Sequence, residues 1–403
     1  MQISNTTKTF VEEINKYKLV KHTVDIDELI KCLYNEILLG FNYYNDIKST
    51  IQSETKKINN VNKIPFPSSI SDKFFPKDIE NNIKSKSNFY ATYNIEILGY
   101  KFKIVLVYAL NTFNIEYYVS VIITWLHIVL NYATSKCSKN ITIFIYLTDK
   151  SKKLPSNELD ILDVINVNSA YTYCCRNPKT KNEIVIFRKE EWFKTLIHET
   201  MHAFGLDFCK LDNDFVSNKI KTTFPINSDI NLNESYCEFW AETLNILIIS
   251  FFSLKSSDSI DTYLQSVKNW ITYEKTFSII QLIKILKYMN LEYTDLYKNN
   301  KMCVFKRNFF YHENTNVFSY YIIKCILMYN LEDFILWCVD NNINALDFFK
   351  TTTNIENFIQ FIVSKYNNKQ FIKIIKANEK IFNKFSNTSK FYTSTKMSLL
   401  EIK

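Results

Sequence analysis

The chain has 403 residues, 47% hydrophobic and 16% aromatic, enough to bury a sizeable core in two or three compact units. With only 3 Gly and 6 Pro it lacks the material for Gly-rich phosphate loops, collagen-like repeats or Pro-rich linkers. The formal net charge of +8 is spread along the chain, and a short cluster such as Lys150, Lys152 and Lys153 is not a continuous basic face, so no nucleic-acid partner is expected.

In chain order, residues 1 to about 47 read as helices, with Ile26, Leu29, Ile30, Leu33 and Ile37 at three- and four-residue steps. Residues 48–90 turn polar, hold Pro65, Pro67 and Pro76, and read as a surface linker. The alternation in 95–108 predicts a hairpin or long strand, followed by an apolar helix at about 114–135. That helix carries no charged residue from Tyr117 to Ser135, yet His127, Asn131 and its Ser/Thr positions argue for burial against a sheet, not a membrane span.

Further strands are expected at Ile141–Leu147, near Asn166–Tyr173 and at Glu183–Phe187, before a helix that begins at about Glu190. Beyond Gly205 the pattern is overwhelmingly helical, and the tail from about Lys384 reads as fraying. Nine cysteines without paired spacing, and an N-terminus without a basic-then-apolar leader, predict free thiols in a reducing compartment: intracellular and not secreted.

The chemistry concentrates in FKTLIHETMHAFGLDF, where His198, Glu199 and His202 form HExxH. On a helix the two histidines lie one turn apart on one face, so both imidazoles can reach one ion, with Glu199 beside it as a base. Gly205, one of three glycines, stands where such a helix would end. A third ligand is needed, and NESYCEFWAETLNILIISFF offers Glu234, Glu238 and Glu242 at four-residue spacing in an apolar helix. Buried carboxylates on one face repel one another unless a cation compensates them. Glu238 is the assigned ligand, with Glu234 an open alternative, and Glu242 is expected to accept a proton from a ligand imidazole. Asp207 is a further ligand candidate, while Phe208 cannot bind metal.

HExxH followed by ExxAE on a later helix resembles the gluzincin class of zinc metallopeptidases, which includes thermolysin-like and anthrax lethal factor-type enzymes. The chain is also similar to zinc metalloproteases of giant DNA viruses. The resemblance implies that Glu238, the first Glu of EFWAE, binds zinc, and that an edge strand bearing Asn168 and Ala170 hydrogen-bonds substrate backbone. An exposed edge can pair with an extended peptide. Tyr320 is favoured as donor to the tetrahedral oxyanion, with Tyr321, Tyr236 and His312 as other candidates.

The expectation is an α+β protein with three parts: a helical N-terminal region at 1–92 with a linker at 48–90, a zincin-like core at 93–255 of mixed sheet plus active-site helix, and a helical region at 256–403 closing the cleft. Its expected activity is zinc-dependent hydrolysis of peptide bonds in a peptide or protein substrate, Zn2+ being the cofactor. The location would be host cytoplasm or virion if the protein is viral. The rival reading is a catalytically inactive zincin-fold structural or virion protein.

Overall fold

The computed structural model describes residues 3–21, 25–68, 70, 73–110, 114–255, 257–385 and 388–402. In chain order these form α1 (Asn5–Ile14), α2 (Asp27–Ile47), β1 (Gln52–Lys57), α3 (Lys77–Lys86), β2 (Phe89–Ile97), β3 (Tyr100–Tyr108), α4 (Ile115–Leu130), β4 (Asn140–Tyr146), α5 (Val164–Val167), β5 (Ala170–Thr172), β6 (Asn182–Ile186) and α6 (Trp192–Phe204). The rest is helical: α7 (Asn213–Lys221), α8 (Leu232–Ser253), α9 (Ile260–Tyr288), α10 (Lys301–Phe310), a π-helical turn (Phe318–Ile323), α11 (Lys324–Tyr329), α12 (Leu331–Asn341), α13 (Thr352–Lys365), α14 (Lys369–Phe385) and α15 (Lys390–Thr393). The protein is therefore mixed α+β, with one six-stranded sheet among the described residues. No helix among the described residues is long and apolar enough to cross a membrane.

Two compact units divide the chain: Asp27–Ser151 with Asn168–Asp207, and Met1–Ile26 with Lys152–Val167 and Phe208–Lys403. The first holds the whole sheet, in the order β1-β2-β3-β4-β6-β5. β3, β4 and β6 run parallel, while β1, β2 and β5 are antiparallel to their neighbours. Leu98 and Gly99, both at positive φ, close the β2–β3 hairpin between paired Ile97 and Tyr100. Two central residues at positive φ match the right-handed twist of the strands they join.

Strand alternation sends successive side chains to opposite faces of the sheet. Val105, Val107, Phe144, Tyr146 and Val185 pack with Phe75, Ile79 and Ile83. Residues 48–90, expected to be a linker, thus supply β1, α3 and part of the core; β1 is polar throughout, and Phe75, Ile79 and Ile83 are the four-residue apolar pattern that marks α3. Phe102 and Tyr100 instead meet Phe204 of α6 edge-on. α4 packs there as well, through Tyr118 stacked on Trp192 at 4.5 Å and Trp125 Nε1 donating to Thr200 Oγ1 at 2.8 Å.

α6 ends at Gly205, whose φ of +68° lets Gly205 and Leu206 N–H return to the carbonyls of His202 and Met201. Such a left-handed cap satisfies carbonyls that the helix leaves open. Cys175 N–H also donates to His202 O at 2.9 Å and Thr134 N–H to Phe204 O at 3.2 Å. Cys137 and Cys175 form a disulfide that closes over this cap. The expectation of nine free thiols is corrected: this pair is bonded, Cys174 and Cys209 are disulfide-bonded as well, and Cys32, Cys237, Cys303, Cys325 and Cys338 carry no disulfide. Thiols 38 residues apart show no spacing signal, since the fold alone joins them. The cysteine argument for a reducing compartment no longer holds.

In the helical unit the tail is the surprise. Residues 394–400 are buried, not frayed. Glu274 on α9 accepts from Leu399 N–H, Leu400 N–H and Ser398 Oγ at 2.8 to 3.0 Å. Lys284, further along α9, donates to Phe391 O at 2.7 Å and Ser394 O at 2.6 Å. An extended segment enters a core only when its amides and carbonyls find partners, and α9 provides them.

Gly205→Ala is expected to cost about 2 kcal/mol or more. It forces a side chain into a left-handed backbone, and its Cβ would lie 2.9 Å from Cys137 Sγ; a lowered urea midpoint without reductant checks this. Glu274→Ala should lose about 3 kcal/mol by stranding buried amides, and limited proteolysis should then cut first within 390–402.

Candidate metal centre

All thirteen residues of α6 are buried, because its apolar side chains face the sheet and α4 while its histidine face is also enclosed. The i, i+4 spacing does what the sequence implies: the rings of His198 and His202 meet edge-to-face at 4.8 Å, with their Nε2 atoms 3.1 Å apart. Beyond the Gly205 turn the chain doubles back, and the buried Asp207 places Oδ2 2.6 Å from His202 Nδ1. A carboxylate there accepts a hydrogen bond from Nδ1–H and keeps the proton on that nitrogen, so His202 Nε2 carries the lone pair. Two nitrogens each ~2.0–2.1 Å from one tetrahedral zinc lie roughly 3.3 Å apart. The pair could therefore hold one such ion. Glu199, adjacent to His198, is also buried.

The sequence offers Asp207 only as a ligand candidate; in the structure its carboxylate is hydrogen-bonded to His202 Nδ1. The available signal was its place two residues past a helix-ending glycine, where the chain must turn back on the helix. Glu242, expected to accept a proton from a ligand imidazole, has a cation partner of its own. Its carboxylate accepts from Lys324 Nζ at 2.7 Å and lies 3.4 Å from Ser278 Oγ. Lys324 also donates to Ser278 Oγ and Met397 O. Burial alone would lower the Lys324 ammonium, but Glu242 and Glu238 outweigh it and raise the group above its ordinary value.

Two of the three glutamates of α8, Glu238 and Glu242, are buried, and Glu234 is partly so. Glu238 is 1% exposed, and Trp240, Leu244 and Leu247 are buried on the same helix. Glu234, partly buried, accepts from Tyr320 Oη at 2.7 Å. Tyr320 sits on the π-helical turn, a distortion often found at functional sites. The other candidate donors are engaged with backbone: Tyr321 with Thr395 O, Tyr236 with Leu346 O at 2.8 Å, and His312 with Phe309 O at 3.0 Å.

Asn168 and Ala170 lie at the β5 edge of the sheet. Ala170 pairs with Ile186, and Asn168 O accepts from Arg188 Nε at 3.0 Å. The same guanidinium donates to Lys150 O at 2.8 Å. Burial pulls Arg188 down to about 10 against the charges of Glu190 and Glu191. This arginine, which no motif announces, anchors the entry to the edge strand.

Asp207→Asn is expected to weaken zinc binding by about 10–100-fold, as loss of an imidazole's carboxylate partner does. Competition against a chromophoric chelator measures it, and unchanged affinity would remove Asp207 from the centre.

No protein-family model and no solved structure matches the chain. An uncharacterized protein of Acanthamoeba polyphaga mimivirus is similar, at 25% identity over 252 residues. The match covers 59% of this chain and 59% of that protein, so the chain spans less than two thirds of the relative's length, and the likeness to a giant-virus protein brings no activity with it.

Proposed function

We propose that the protein is a zinc-dependent peptidase whose metal is held by His198, His202 and a carboxylate of α8. What carries this reading is the paired Nε2 atoms, 3.1 Å apart, with Asp207 fixing the tautomer of one of them. A structural imidazole pair has no need of a carboxylate next to its first member, whereas hydrolysis does. The ExxAE spacing favours Glu238 as the third ligand, and Glu234 remains the alternative.

Zinc bound there would act as a Lewis acid and bring the pKa of its water to about 7. Glu199, beside His198, would serve as the base that takes a proton from the attacking water and as the acid that hands it to the leaving amine. Asp207 holds His202 in the tautomer that offers Nε2 to the metal. Tyr320 is the proposed donor to the developing oxyanion. The substrate peptide pairs with the edge at Asn168 and Ala170, an extended mode in which main-chain hydrogen bonds supply affinity.

Glu199→Gln is expected to keep stoichiometric zinc by elemental analysis while hydrolysis of a peptide library falls at least 10²-fold. His202→Ala should lose the metal. Wild-type protein that binds zinc but cleaves nothing would favour the inactive structural or virion reading, and undiminished hydrolysis by Glu199→Gln would overturn the mechanism.

A further inference from the structure

A basic face of the helical unit has no part in that chemistry. α14 buries Phe371, Ile375 and Phe382 and exposes Lys369, Lys373, Lys376 and Lys380. These four lysines and Lys18, with Ile372, Ala377 and Ile381, line a groove of about 650 Å³. Its far wall is fixed: Lys18 N–H donates to Asn378 Oδ1 at 2.8 Å, and Asn378 Nδ2 donates back to Lys18 O at 3.1 Å. Glu379, the one carboxylate of α14, is taken by Lys287 at 2.8 Å. Among the described residues none of the five groove lysines has a carboxylate partner.

We propose that this groove binds the phosphodiester backbone of nucleic acid without reading its sequence. The lysines recur at i, i+4, i+7 and i+11, so a charge falls about every helical turn along roughly 17 Å. A polyanion with a charge on every unit matches such a ladder. The groove has no aromatic ring on which a base could stack and no Asn, Gln or Arg to read a base edge. A membrane fits less well, because a helix lying in a lipid interface must insert its apolar face, and here that face is committed to the core. Sequence inspection found only short clusters such as Lys150, Lys152 and Lys153, of which Lys152 is 1% exposed and unavailable. The continuous face arises because every third or fourth residue of α14 is lysine and Lys18, some 350 residues earlier in the chain, is pinned alongside it.

The test is fluorescence anisotropy of the full-length chain with two labelled duplexes of unrelated sequence across 50–200 mM salt. Four to five phosphate contacts predict a slope of log K against log salt near −4, a loss of about 10²-fold over that range, equal for both sequences. K373E/K376E/K380E, at exposed positions, should lower affinity more than 10-fold with unchanged circular dichroism and unchanged zinc content. Binding that the triple variant retains in full, no binding at 50 mM salt, or comparable salt-sensitive binding to polyglutamate or to phosphatidylserine vesicles would each overturn the proposal. None of these outcomes bears on the peptidase reading, whose test is metal content and hydrolysis.

Discussion

Two imidazoles on one face of a helix form a metal site only if each offers a lone pair, and a neutral histidine has a proton on one of its two nitrogens. In this chain Asp207 decides that question for His202 by binding Nδ1 at 2.6 Å. The carboxylate can reach it because the chain reverses at Gly205, which in turn requires a left-handed backbone and room for no side chain beside the Cys137–Cys175 bridge. Cap, bridge and carboxylate are thus one arrangement, in which the helix end that satisfies its own carbonyls also delivers the group that orients His202. The sheet beneath explains why it can be rigid, since Phe204 packs on Tyr100 and Phe102 and Thr200 is tied to Trp125.

The helical unit solves a different problem with the same economy of partners. Burying an ion costs several kcal/mol unless it is paired and hydrogen-bonded, and here Lys324 answers Glu242 while Lys275 answers Glu332, the latter pair fully buried. α9 carries Glu274, Ser278, Gln281 and Lys284 at three- and four-residue spacing, and all four bond inside the unit. Gln281 Nε2 reaches the backbone of Lys396, and Lys324 that of Met397, so the polar stripe of the helices serves the C-terminal segment as a sheet edge would serve a strand. That is why a tail rich in Ser, Thr and Lys is ordered.

Legibility followed the range of the interaction. The HExxH helix, the apolar helix over residues 115–130, the β2–β3 hairpin and the central β4 were readable because each is announced by spacing within about 20 residues. The strand inside 48–90 was not, because β1 is polar at every position and lies at the sheet edge, where pairing needs no apolar face. The cation partner of Glu242 was hidden for a related reason. Four-residue spacing shows that three glutamates share a face of α8, but not that Lys324, some 80 residues later, waits opposite one of them.

Taken alone, the sequence determined that the chain is mixed α+β, that two histidines and a glutamate share a helix in metal-binding spacing, and that a glycine ends that helix. These are consequences of periods of 2 and 3.6 residues, which are local and survive without a fold. Only the tertiary structure decided that Asp207 orients an imidazole, that Cys137 meets Cys175, that the tail is interior and that the lysines of α14 gain Lys18 as a neighbour. Each of these joins groups through space or around a turn, where the deciding quantity is which donor or charge lies within a few ångströms, and no periodicity along the chain encodes that distance.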